Sequence, residues 1–341
     1  MLIPSSGDKY TKVKKYYFEK EDQVKQLQNS LAHQRLAQSR TSLDDSEYST
    51  RFNRLDGLIA QLAFSIRKSW KSVPSWLGNS VNKDATQTGK QEMTAAGRAF
   101  ISCWLVEDVF DMYFHPDLDP ALSAQLKTIL KNIRRLAPPC QTQEDEEFLT
   151  AKVVNWRLAT LDGLQEMLRS QQSANHRLQL IELLKERLIK ALQVHLDNPP
   201  MSDLEGGVHM IIELAVSMTT HLPLESRDVQ IDYFMPGDPV STEMMKLETG
   251  IPALGLSVAE DAAERTSQTV FHVQSSILII LTGARKGHVA GNKHAAADGA
   301  STGRPDSAGN DGGPSRVRMA VGIGAQVRGK TVLVKAPVFA T

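Results

Sequence analysis

The sequence is poor in cysteine: Cys103 and Cys140 are the only two in 341 residues. Two distant cysteines exclude a disulfide framework. With no metal-ligand company they fit a reducing intracellular compartment, and a cytoplasmic protein is expected. Net charge is also lacking, because 39 basic and 39 acidic side chains cancel. That removes whole-chain basicity as a ground for nucleic-acid binding. Long apolar runs are missing too. The most apolar late stretch, Ile277 to Leu281, is five residues, against the ~20 needed to span a bilayer. The opening MLIPSSGDKY has no basic region followed by an apolar run, so no signal peptide is read. What is present is a hydrophobic fraction of 41%, enough for a sizeable core. The length suggests about two domains.

The zero charge is a sum of unequal parts. Residues 1–71 hold 13 basic against 8 acidic side chains, and residues 283–341 hold 9 against 3. The middle is left with 17 basic against 28 acidic. Basic ends therefore flank an acidic body. Neither end has a dense Lys/Arg block, which favours ends that lie on the body over an interaction tail.

Residues 9–40 read as one polar helix. Tyr10, Val13, Tyr17, Lys20, Val24, Leu27 and Leu31 recur at alternating steps of three and four, with Lys20 the only polar member. That is an a/d seam over about three heptads. It predicts a short dimeric coiled coil, with a helix packing on its own domain as the competing reading. Ser39–Ser49 reads as a break. A helix follows with Phe52, Leu55, Leu58, Ile59, Leu62 and Ile66 on one face, ending near Val73 before Pro74. Gln91 to Phe114 is apolar on most sides and reads as a buried helix stopping at His115–Pro116. Helices over 119–136, from Thr142 to about Arg169, over 176–196 and over 205–221 are separated by Pro138–Pro139 and Pro199–Pro200. Thr142 has the chemistry of an N-cap, and Glu144 to Glu147 suit the first turn after it. Trp70, Trp76, Trp104 and Trp156 read as packing anchors.

The pattern then changes. Alternation around Val229, Ile231 and Tyr233 predicts a strand over 229–234, bounded by Pro236–Gly237. Residues 256–282 are ambiguous. Residues 283–315 hold eight of the 22 glycines and almost no large apolar side chain, the composition of a disordered linker. Arg316–Ile323 and Lys330–Phe339 read as two strands of a hairpin turning near Arg328–Gly329. That hairpin is expected to pair with the strand at 229–234, since an isolated hairpin is marginal.

One catalytic-looking motif is present. Gly324 to Thr331, with Gly329 and Lys330, fits the P-loop pattern G-x-x-x-x-G-K-[ST]. There Lys330 would reach the β- and γ-phosphates and Thr331 would hold Mg²⁺. The pattern needs a helix directly after it. Val332 to Pro337 is β-branched and ended by proline, so the hairpin is the favoured reading. His209 and Glu213 stand one helical turn apart, and His221 follows, but a metal site needs three or four ligands. His115 with Asp117 and Asp119 reads as loop chemistry around two prolines. Lys9, Lys12, Lys14, Lys15 and Lys20 before the heptads have the outline of a basic-region zipper at too low a density.

Several stretches together, among them RFNRLDGLIAQLAFSIRKSWKSVPSWL at 51–77, FISCWLVEDVFDMYFHPDL at 100–118, LEGGVHMIIELAV at 204–216, LPLESRDVQIDYFMPG at 222–237 and RVRMAVGIGAQVRGKTVLVKAPVF at 316–339, carry a resemblance. They resemble a group of uncharacterised filamentous-fungal proteins with an N-terminal coiled coil, a helical body and a C-terminal strand pair after a variable linker. The resemblance implies fungal origin and a scaffold-like layout, and it transfers no catalytic residue.

The expectation is a mainly α protein: a coiled-coil arm at 8–40, a helical body with a short strand at 50–255, a linker at 256–315, and a hairpin at 316–341 packed on the body. The expected function is a non-catalytic interaction or scaffold protein. It would self-associate, or meet another coiled-coil protein, through Tyr10, Val13, Tyr17, Val24, Leu27 and Leu31. No cofactor and no membrane span are expected. The alternative is an enzyme whose site is dispersed through the acidic body.

Overall fold

A computed structural model describes residues 14–24, 26, 43–87, 89–255, 315–328 and 331–341. The chain divides into two units, and the larger joins Met1–Leu254 to Pro314–Thr341. The predicted linker at 256–315 lies outside the described residues except for Ser315.

The described chain is mainly α. A first helix, α1 (residues 14–24), is followed by α2 (Asp45–Ile66), α3 (Lys90–Leu105), α4 (Pro120–Arg135), α5 (Gln143–Gly163), the short α6 (Gln165–Arg169), α7 (Gln171–Gln193) and α8 (Met201–His221). Local chemistry explains several boundaries. Asp44 caps α2, its Oδ1 accepting from Glu47 N at 2.7 Å. Asp119 caps α4, with Oδ1 accepting from Ala121 N and Leu122 N. Thr142 forms a full capping box with Asp145 at the start of α5.

Some helix boundaries differ from the sequence reading. The break expected at Ser39–Ser49 ends early, because the Asp44 cap starts α2 at Asp45. That helix stops at Ile66 and does not reach Val73. The chain instead turns so that Trp70 bridges to Leu196. The single helix expected over Gln91–Phe114 ends at Leu105 and passes into one π turn, Val106–Phe110. The helix expected to run to Arg169 breaks at Leu164.

Among the described residues, six short strands form two three-stranded sheets. These are β1 (Val229–Asp232), β2 (Met245–Leu247), β3 (Val317–Ala320), β4 (Gly324–Val327), β5 (Thr331–Val334) and β6 (Ala336–Ala340). One sheet has the order β1-β4-β5 and the other β2-β6-β3. The strand expected at 229–234 is four residues long, and it pairs with the C-terminal segment as expected, Val229 opposite Val327 and Asp232 opposite Gly324. The C-terminal segment is more than one hairpin. The expected strand Arg316–Ile323 holds only β3, and β4 follows beyond its end in the other sheet. The expected strand Lys330–Phe339 is two, β5 and β6, divided at Lys335 and placed in different sheets. Strand β2 escaped the sequence reading because three residues are too few to show alternation.

The main core joins α2, α3, α7 and α8 to the C-terminal strands. Leu55, Ile59, Ile101, Leu184, Leu188, Ile211 and Ile212 meet Met319, Val321 and Ala325 in one buried cluster. The helices and the C-terminal strands of the larger unit thus share one hydrophobic core. Polar links reinforce the join. Arg318 on β3 is 5% exposed and Glu92 on α3 is 2% exposed, with Arg318 NH2 to Glu92 Oε1 at 2.6 Å. Tyr48 donates to Glu225 at 2.7 Å, also in the interior. A second, smaller core lies under α4 and α5, where Phe114, Leu118 and Leu161 pack with Leu126, Leu130 and Trp156. The tryptophans sit as packing groups: Trp70 is buried, Trp76 stands edge-on to Tyr233 and Trp156 edge-on to Phe114.

Candidate functional site

Two regions of the described surface have features beyond packing. The first is α1. Every described residue of α1 is exposed, including Tyr16, Tyr17, Phe18 and Val24, each more than half exposed. Large apolar side chains left exposed along a helix are an unpartnered surface among the described residues. Tyr17 and Val24 are the two apolar predicted seam residues on this helix. Tyr10, Val13, Leu27 and Leu31 lie outside the described residues. Lys20, the polar seam residue, donates to Gln23 Oε1 at 3.0 Å and lies over the Tyr16 ring. An apolar groove of about 610 Å³ between the end of α4 and the start of α5 adds to the unpartnered surface, with Leu136 and Phe148 strongly exposed along it. Asp145 lines it, and Glu144, Glu146 and Glu147 neighbour Asp145 on α5.

The second region is a cleft of about 310 Å³ where α4, α5 and the π turn meet the start of β1 and the end of β4. Five cations line it, Lys127, Lys131, Arg134, Arg157 and Arg328, against three carboxylates, Asp111, Asp228 and Asp232. Helical spacing explains half of this. Lys127, Lys131 and Arg134 stand at i, i+4 and i+7 on α4, so they share one face. Asp228 is the focus. Arg328 Nε donates to its Oδ2 at 3.0 Å, Arg134 pairs with the same oxygen, and Arg157 NH1 lies 4.0 Å from Oδ1. Arg328 also donates its backbone N–H to the Asp228 carbonyl at 3.0 Å, which fixes the two segments together.

Not every donor in the cleft is used. Arg157 gives NH2 to the carbonyls of Glu225 and Arg227, yet its buried Nε has no hydrogen-bond partner. Lys127 donates to the Phe110 carbonyl at 2.7 Å. Phe110 is the last residue of the π turn, a distortion that often accompanies functional sites. Burial pulls the Lys127 ammonium down to a pKa of about 8, an effect that Asp111 opposes and Lys131 and Arg157 increase. Burial also lowers Arg134 and Arg157 from the ordinary guanidinium range, with Asp228 opposing it in both.

The other residues singled out from the sequence fall elsewhere. Gly324 opens β4 and Thr331 opens β5, and these strands are antiparallel neighbours. Gly329 and Lys330 lie outside the described residues. A strand stands where the P-loop pattern requires a helix, so the nucleotide reading loses its helix N-terminus. His209 Nε2 is 3.9 Å from Glu213 Oε2 on an exposed face. Among the described residues no group of three His, Cys, Asp or Glu side chains could hold a metal ion. His115, Asp117 and Asp119 are structural: the buried His115 Nδ1 accepts from Asp117 N at 3.2 Å, Asp117 pairs with Arg177, and Asp119 caps α4. Cys103 is buried, and burial pushes its thiol far up from the ordinary value, with Glu107 adding to the shift.

No family model, no curated protein and no solved structure matches this chain. Among the described residues no helix is long and apolar enough to cross a membrane.

Proposed function

We propose that this protein is a non-catalytic interaction protein that self-associates through its N-terminal helix. The observation that carries the reading is the complete exposure of α1, with Tyr16, Tyr17, Phe18 and Val24 in water. Of the two sequence readings, a helix packed on its own domain would bury Tyr17 and Val24, and both are more than half exposed. A heptad seam is completed by another helix of the same periodicity, and a second copy of this chain supplies one. The polar Lys20 in the seam lowers stability and helps set register, a role known for single polar core positions. The exposed groove beside the acidic start of α5 fits the same reading, because it adds apolar surface that a monomer leaves open. The acidic-body enzyme reading has less support: the charged residues that converge do so on a salt-linked Asp228, and among the described residues that line this cleft no nucleophile is paired to a base.

Two variants test the proposal. Val24→Asp places a charge in the seam and is expected to shift the full-length chain to monomer in size-exclusion chromatography with light scattering. Lys20→Leu completes the apolar seam and is expected to tighten association at least tenfold. If both variants elute as the wild type does, the helix is not the self-association element.

A further inference from the structure

We infer that the cleft between α4, α5 and β1 is a binding site for a small phosphate monoester with an apolar organic part. The inference is independent of self-association through α1.

Charge and geometry argue for a phosphate. With Lys131 paired to Asp111 at 3.1 Å and Asp232 accepting from Gln230 and Gln326, the cations left are Lys127, Arg134, Arg157 and Arg328 around the carboxylate of Asp228, and the cleft as a whole carries five cations against three carboxylates. Arg134 and Arg328 already share one oxygen of that carboxylate. A purely structural cluster would be expected to match its charges and to use its donors, because a buried unsatisfied donor is costly. Here the Arg157 Nε is buried with no acceptor, and Lys127 spends one of its three N–H donors on Phe110. A phosphate monoester offers three terminal oxygens and up to two charges, which suits guanidinium forks and an ammonium together. One more carboxylate would neutralise less of the surplus.

The remaining walls say what the phosphate is attached to. Phe114, Leu130, Leu222 and Ile231 are apolar, while Thr219 and Gln230 bring polar groups. The volume, about 310 Å³, is at the lower end of the range for small-molecule sites. It suits a small molecule. The π turn supplies a backbone reason for the site. The turn is closed by Asp111 N donating to Val106 O at 2.8 Å, and because the helix ends at Phe110 its carbonyl has no helical partner and holds Lys127.

Isothermal titration of the full-length protein tests this, with phenyl phosphate as the probe and benzoate, inorganic phosphate and phosphatidic-acid vesicles as comparators. The expected result is saturable binding of phenyl phosphate at one per chain, at least tenfold tighter than benzoate and tighter than inorganic phosphate. Lys127→Met removes one donor and leaves the Arg–Asp228 cluster in place, and it is expected to weaken phenyl phosphate at least tenfold. Asp228→Asn removes the competing carboxylate and is expected to tighten it, the opposite of what loss of structure would do. Absence of phenyl phosphate binding at millimolar concentration, unchanged affinity in Lys127→Met, or binding of the vesicles alone would each overturn the inference.

Discussion

Replacing Arg318 by Met isolates the link between the C-terminal strands and the helical body. In the folded chain Arg318 gives NH2 to Glu92 Oε1 at 2.6 Å and Nε to the Ser80 carbonyl at 2.9 Å, and NH1 bonds the Pro252 carbonyl. Arg318→Met strands the Glu92 carboxylate in the core. Breaking a buried ion pair by removing one partner costs about 3–5 kcal/mol. Glu92 keeps two donors from Asn82, the backbone N at 3.2 Å and Nδ2 at 2.9 Å. The loss therefore falls near the lower end, about 3 kcal/mol. For a cooperative unit of this size that lowers Tm by roughly 6 °C. The double variant Arg318→Met/Glu92→Met removes both charges, and apolar replacements of a buried pair are often near neutral. It is expected to lose less than Arg318→Met alone, although Asn82 then needs new acceptors. Calorimetry of the wild type, both single variants and the double variant gives the coupling directly. A double variant that loses as much as the two single variants summed would refute the argument that charge pairing joins β3 to α3.

Other outcomes follow from the same interior. His115 is 4% exposed and burial holds its pKa at about 4. Its pKa is lower folded than unfolded, so the unfolded chain takes up the proton first as pH falls. The contribution is full above about pH 6.5 and is lost by about pH 4, amounting to roughly 3 kcal/mol. Urea unfolding at a series of pH values should show this decline, and His115→Gln should flatten it. Two glycines should respond in opposite directions when replaced by alanine. A Cβ at Gly206, inside α8, meets nothing within 4 Å, so Gly206→Ala should stabilise by about 0.5–1 kcal/mol. A Cβ at Gly322 would stand 2.5 Å from Pro337 Cγ in a rigid ring, so Gly322→Ala should destabilise by about 1–3 kcal/mol. Deleting residues 316–341 removes Met319, Val321 and Ala325 from the main core and should abolish cooperative melting of the body, which circular dichroism would detect.

The helices were legible because their ends are written in local chemistry. Thr142 caps α5, and the Pro138–Pro139 and Pro199–Pro200 pairs stand between helices. The pairing of β1 with the C-terminal segment was legible from alternation and from the need of a hairpin for a partner. The split of that segment between two sheets was not. Val332 to Phe339 reads as one apolar run, and a single residue, Lys335, separates β5 from β6. All four residues of β3 are buried, so no in–out alternation marks it. The cleft was only partly legible. Lys127, Lys131 and Arg134 show their shared face by spacing. Asp228 lies 94 residues from Arg134 and 100 from Arg328, and only the fold brings them together.

The central claim is that the exposed N-terminal helix assembles two copies of the chain. Sedimentation equilibrium of the full chain beside residues 41–341 addresses it most directly. The full chain is expected to sediment at twice its 37.6 kDa, and the truncated chain as a folded monomer. A monomer in both, or a dimer in both, would contradict it.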